Sequence, residues 1–419
     1  MQLDDMILVS IDDHVIEPAD MFDAHMPAKW ADRAPRVVTN DSGIEMWLFE
    51  GEQAGSMALN AVVSWPKEDW GMDPTGFAEM RPGAYDIHER VRDMDRNGVL
   101  ASMCFPTFAG FSAGTFQRAT DKELALVTVQ AYNDWHIDEW AASYPGRFIP
   151  LAIGPVWDPD ALAAEVRRVA SKGCRAISMP ELPHVQGLPS YHDMDYWKPF
   201  FDAVTDEGVV MCLHIGQGFN AIQSAPGAPI DNLIILATQI STLAAQDLLW
   251  GPAFRNYPDL KVAWSEAGIG WIPFYLDRCD RHYVNQRWLG HDFGGKLPSE
   301  IFRDHSLACF VSDPVALKVR RDIGIDIIAW ECDYPHSDCI WPTAPETIKG
   351  ELDGAGATDD EIDKITWANS CRFFDYDPFR HISRADASVG ALRSRATDVD
   401  TTTRSRREWR ERYEARAAG

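Results

Sequence analysis

The chain has 419 residues, 46% hydrophobic and 25% charged, the proportions of a folded globular protein with a large apolar core rather than of a disordered one. Its 39 Lys and Arg stand against 64 Asp and Glu, a net charge of -25, which excludes a nucleic-acid partner because such binding runs on cations that displace phosphate counterions. There is no apolar run of about 18 residues and no basic stretch ahead of an apolar one at the start, so no membrane partner and a cytoplasmic location are expected.

In chain order, eight short runs rich in Val, Ile and Ala occur at 7–11, 100–105, 148–153, 176–179, 209–213, 261–265, 307–311 and 326–331. Most are near-continuously apolar, as strands buried on both faces are. Between them, residues 87–97, 121–144, 160–171, 196–207 and 271–286 repeat apolar positions at helical spacing. Strand and helix in alternation predict parallel βα units, and eight of them predict an α/β fold closed as a (β/α)8 TIM barrel over residues 1–384. Two insertions interrupt it, at about 18–85 and 288–305. Residues 385–419 are rich in Arg, Thr and Asp and read as a polar tail with a charged helix near 404–418, expected to wrap a neighbour or stay mobile. The eight cysteines show no CxxC pair and read as reduced thiols.

The chemistry lies at the ends of these runs. Asp12 and His14 follow the first, and strand alternation sends both to one side. His214 ends the fifth, in LHIGQG, where Gly216 and Gly218 let the backbone turn sharply. Glu181 follows the fourth, Glu266 the sixth, and Asp333 the eighth, with His336 three residues later. Five strand ends out of eight thus carry Asp, Glu or His, and a ring of buried acids without a cation would repel itself. A metal centre held by Asp12, His14, Glu181, His214, Glu266 and Asp333 is expected, with Asp333, His336 and Glu266 as catalytic groups. Glu17 is expected to orient the His14 imidazole, His184 and His192 to belong to a loop, and Arg320-Arg321 to lie on a solvated helix face.

Taken together, DxHxxE, PE with GLPSYHD, LHIG, SEAGxGWIPF and DYPHSD resemble the amidohydrolase-related family that includes aminocarboxymuconate-semialdehyde decarboxylase and the resorcylate decarboxylases, over about residues 7–378. The resemblance implies the same barrel, a divalent metal, and ligation by Asp12, His14, His214 and Asp333. Two departures stand out. Glu266 replaces a His of the decarboxylases, and Glu181 lies where dinuclear relatives use a carboxylated Lys as a bridge. Up to four carboxylates form a hard donor set, so one or two ions of Zn, Mn or Fe are expected.

The first functional expectation is hydrolysis or non-oxidative cleavage, decarboxylation included, of a small organic acid or amide by a metal-activated water. The alternatives are a dinuclear Fe or Mn/Fe oxygenase, which alone needs an electron-transfer partner, and a subunit with a degenerate site beside an active paralogue. A homodimer, or a hetero-oligomer with a paralogue, completes the expected partners.

Overall fold

The structure is a computed structural model that describes every residue except 73, 217–221, 223, 418 and 419. Gly218 therefore lies outside the described residues, while Gly216 has φ 124°, a backbone conformation suited to glycine. Two compact units are present: residues 1–155 with 331–349 and 377–419, and residues 156–330 with 350–376.

In the first unit, β1 (Val9–Val15) is buried at every position. Between it and the next buried strand, the insertion folds as a three-stranded antiparallel sheet, β2 (Arg36–Thr39), β3 (Glu45–Phe49) and β4 (Glu52–Gln53). Alternation in β3 buries Trp47 and Phe49, and Trp47 stacks on Phe108 at 4.4 Å between ring centroids. β5 (Ala101–Pro106) runs parallel to β1, with a register shift between Ser10 and Asp13. β6 (Leu151–Ile153) follows, and the Asn133 side-chain amide bonds both the N–H and the C=O of Ile153 at 2.9 Å.

The helix Ile87–Asn97 starts where Asp86 accepts from the N–H groups of His88 and Glu89, and it stops at Gly98 with φ 75°. The helix expected over 121–144 is α-helical over Lys122–Trp135, capped by Asp121, and continues as a π-turn over His136–Ala141.

The second unit holds five parallel strands in the order β7 (Ala176–Met179), β8 (Val210–His214), β9 (Val262–Ser265), β10 (Ser306–Phe310) and β11 (Ile328–Trp330), all buried throughout. Met179 pairs with Leu213 and His214 with Ser265, so the carboxyl ends of β7, β8 and β9 lie side by side. The helix Pro159–Ser171 leads into β7, the helices Met194–Glu207, Gln239–Trp250 and Trp271–Asn285 follow β7, β8 and β9, and the expected insertion at 288–305 contains the helix Pro298–His305. All eight apolar runs are therefore strands, three in the first unit and five in the second.

Two expectations differ from the structure. The C-terminal segment packs on its own unit: Val389 and Leu392 of the helix Val389–Arg395 are buried, and Trp409 of the helix Arg406–Ala417 clusters with Val62 and Trp65. A few apolar side chains in a charged segment suffice to dock it, and Arg410 with Glu79 and Arg416 with Glu89 add ion pairs. Arg320 is buried rather than solvated, because Glu361 accepts from its Nη2 at 2.7 Å; Arg321 is exposed.

Candidate metal centre

The first unit brings four of the expected residues together. His14 Nε2 lies 3.6 Å from Asp12 Oδ1 and 3.3 Å from Asp333 Oδ1, and His336 Nδ1 lies 3.0 Å from that same Asp333 oxygen. The His14 and His336 rings stack at 3.8 Å between centroids, and all four residues are buried. Backbone bonds build the arrangement. The His14 N–H donates to Tyr334 O at 2.7 Å and the Asp333 N–H to Asp12 O at 2.9 Å, which fastens residues 333–334 along β1. Asp333 holds φ 57°, a left-handed conformation uncommon outside glycine, and the His336 N–H closes the turn onto Asp333 O at 2.9 Å.

Burial pushes the Asp333 carboxyl up, but the charges and hydrogen bonds of His336 and His14 outweigh it and hold the group well below the usual carboxylate range. Asp333 is thus the anion of the cluster.

Sequence reasoning missed the residues that support this geometry. Asp13, between the two expected ligands, accepts from Ser10 Oγ at 3.1 Å, from the Tyr334 N–H at 3.0 Å and from Ser102 Oγ. Burial raises its carboxyl to about 6 against the opposing charge of Arg90. Arg90, fully buried, donates to the carbonyls of His14 and Gly83 and stands 4.3 Å from the Tyr334 ring centroid. The available signal was Asp13 itself: an acid in a buried strand requires donors on both faces. Glu17 does not orient His14. Its carboxylate accepts from the N–H groups of Thr107 and Phe108 at 3.0 and 2.8 Å, fixing the chain after β5, and burial raises it to about 7.

In the second unit, His214 ends β8 buried, and its Nδ1 lies 2.5 Å from Ile215 O. Donation from Nδ1 there leaves Nε2 as the basic nitrogen, and Glu266 Oε2 is 3.2 Å from it. Glu266 has φ 61°, so like Asp333 it is presented from a strained turn just past a strand. Glu181 is buried just beyond β7, where its charge adds to burial in raising the Tyr191 phenol, whose hydroxyl donates to Pro180 O at 2.6 Å. His192 is exposed and pairs with Asp247 at 3.3 Å.

The donors fit a divalent cation. Separations of 3.3 and 3.6 Å between His14, Asp333 and Asp12 are those of ligands sharing an ion at about 2.1 Å from each. Asp333 Oδ2 and His336 Nε2 are buried without a hydrogen-bond partner among the described residues, an arrangement that is costly unless positive charge compensates the carboxylate.

The chain is 26% identical over 215 residues, 49% of its length, to gamma-resorcylate decarboxylase of Rhodococcus jostii (strain RHA1), and the match spans 63% of that relative. Among solved structures, an amidohydrolase from Mycobacterium avium subsp. paratuberculosis K-10 aligns with TM-score 0.69 and 19% identity, over 88% of this chain and 99% of that one. A 5-carboxyvanillate decarboxylase from Novosphingobium aromaticivorans DSM 12444, solved with bound manganese and 3-methoxy-4-hydroxy-5-nitrobenzoic acid, aligns with TM-score 0.58 and 17% identity, over 90% and 99%. These likenesses show the fold, which is the (β/α)8 class that the eight strands led us to expect. The family model described as Amidohydrolase matches residues 22–376, and the chain belongs to the amidohydrolase family.

Proposed function

We propose that this chain is a metal-dependent enzyme that decarboxylates a small organic acid without oxidation. The observation that carries the reading is Asp333, a buried carboxylate set between the imidazoles of His14 and His336. Asp12, His14 and Asp333 are the proposed ligands of a divalent ion, with His214 added by the family pattern and Glu181 and Glu266 as further carboxylates. Mn is the ion found in the Novosphingobium relative, and a carboxylate-rich set suits Mn or Fe. When bound, the ion supplies positive charge that holds the substrate carboxylate and offsets charge developing as the bond breaks.

The chain's own residues handle the proton. The reaction R–COO⁻ + H⁺ → R–H + CO2 needs one proton at the carbon that loses its carboxylate. His336 Nδ1 faces the Asp333 carboxylate at 3.0 Å, which leaves Nε2, buried and without a hydrogen-bond partner among the described residues, as the ring atom to carry a proton to the substrate carbon. Stacking on His14 fixes the ring plane and thereby the direction of Nε2. Burial of all four residues keeps bulk water from competing for the site.

The test is a panel of hydroxybenzoates, gamma-resorcylate and 5-carboxyvanillate among them, incubated anaerobically with protein loaded with Mn, Fe or Zn. Carbon dioxide released in step with a product lacking one carboxyl supports the reading. Hydrolysis of amides or esters without release of carbon dioxide, or turnover only with oxygen and a reductant, overturns it.

A further inference from the structure

Away from the metal centre, the first unit contains a cavity of about 510 Å3 between residues 80–93 and the C-terminal segment 398–416. Five arginines line it (Arg81, Arg92, Arg404, Arg412 and Arg416) against four acids (Glu89, Asp93, Asp398 and Asp400). The lining therefore carries one excess positive charge in a chain whose net charge is -25.

The pairing is uneven. Asp93 accepts twice from Arg81, at 2.7 and 2.6 Å, Asp398 pairs with Arg92 at 2.9 Å and Glu89 with Arg416 at 2.7 Å. A single oxygen of Asp400 serves both Arg404 and Arg412, the latter at 3.4 Å. Because a guanidinium carries five N–H donors in one plane, Arg412 has donors left over, and its side chain is about half exposed.

Trp409 forms an apolar wall of the same cavity. It is 4% exposed, with the guanidinium carbons of Arg81, Arg404 and Arg412 at 5.9, 5.5 and 5.9 Å from its ring centroid. Its indole Nε1 is buried and has no hydrogen-bond partner among the described residues.

We propose that this cavity binds a small aromatic carboxylate, its anionic group held by Arg404 and Arg412 and its ring placed against Trp409. Planar guanidinium forks match a carboxylate in a way that a point charge does not, and the volume is in the range of small-molecule sites. The proposal does not rest on the proposed decarboxylation, because it uses none of the metal-centre residues.

Titration calorimetry with benzoate tests it, with acetate as the ringless control. Wild type stripped of metal by chelation is expected to bind benzoate, Arg412→Ala treated in the same way at least about 10-fold more weakly, and acetate to bind the stripped wild type at least about 10-fold more weakly than benzoate. Arg412 is half exposed, so its loss leaves the fold intact, and an unchanged melting temperature verifies this. No benzoate binding by the metal-stripped wild type, full binding by Arg412→Ala, or acetate binding as tightly as benzoate would each overturn the proposal.

Discussion

His14 and His336 face one another at 3.8 Å between ring centroids, and Asp333 Oδ1 bridges them at 3.3 Å from His14 Nε2 and 3.0 Å from His336 Nδ1. One carboxylate oxygen thus contacts both imidazoles. Asp333→Asn keeps the shape and removes the anion. Metal content, read by elemental analysis after dialysis, should fall at least about 10-fold, and activity with it. Undiminished metal content would exclude Asp333 as a ligand.

Glu266 places a carboxylate 3.2 Å from His214 Nε2. If both belong to the metal centre, Glu266→Gln should weaken Mn binding while leaving the melting temperature of the metal-free protein near that of wild type, since Glu266 is partly exposed. His214→Ala should weaken binding further. A His214→Ala protein that retains full metal would remove this residue from the ligand set.

Glu181 distinguishes one ion from two. Two cations a few ångströms apart repel, and a shared anionic ligand offsets that repulsion. The expected result is two ions per chain in the wild type and one in Glu181→Gln. Equal stoichiometry in both proteins would mean that Glu181 serves its own loop instead.

Arg90 reaches the carbonyls of both His14 and Gly83 and faces the charge of Asp13, all in the core. Arg90→Met strands those acceptors and leaves a buried carboxylate without its cation, which should cost roughly 3–5 kcal/mol. The urea midpoint measures this, and a shift equivalent to less than about 1 kcal/mol would contradict the role given to Arg90.

Glu361 provides a pH test remote from the metal centre. Burial pushes its carboxyl up, but Arg320, the Thr358 N–H and Arg321 pull it down to about 2 from an ordinary 4.5. With the folded value depressed, the contribution to stability is complete above pH 4.5 and is lost as the pH falls through about 2. Between about pH 5 and 3, wild type should therefore lose more melting temperature than Glu361→Gln. Parallel curves for the two proteins would show that the pairing contributes nothing.

The sequence by itself determined the strands and most of the helices, because burial imposes a pattern that local spacing reveals. Val, Ile and Ala runs become β7 through β11 almost residue for residue, and the acids and imidazoles that close several of the runs lie at strand carboxyl ends. That logic marked Asp12, His14, His214, Glu266 and Asp333 without any knowledge of their neighbours. Tertiary structure alone decided which groups meet. The pairing of Asp333 N–H with Asp12 O, the Asp13 bonds to Ser102 and Tyr334, and the grip of Arg90 on His14 join residues far apart in the chain, and no local period encodes a partner at that distance. The same holds for Glu17, whose carboxylate binds the backbone after β5 rather than His14, and for Trp409, which seats a charged C-terminal helix against Val62 and Trp65. Composition tells where apolar surface must go; only the folded chain supplies the surface that receives it.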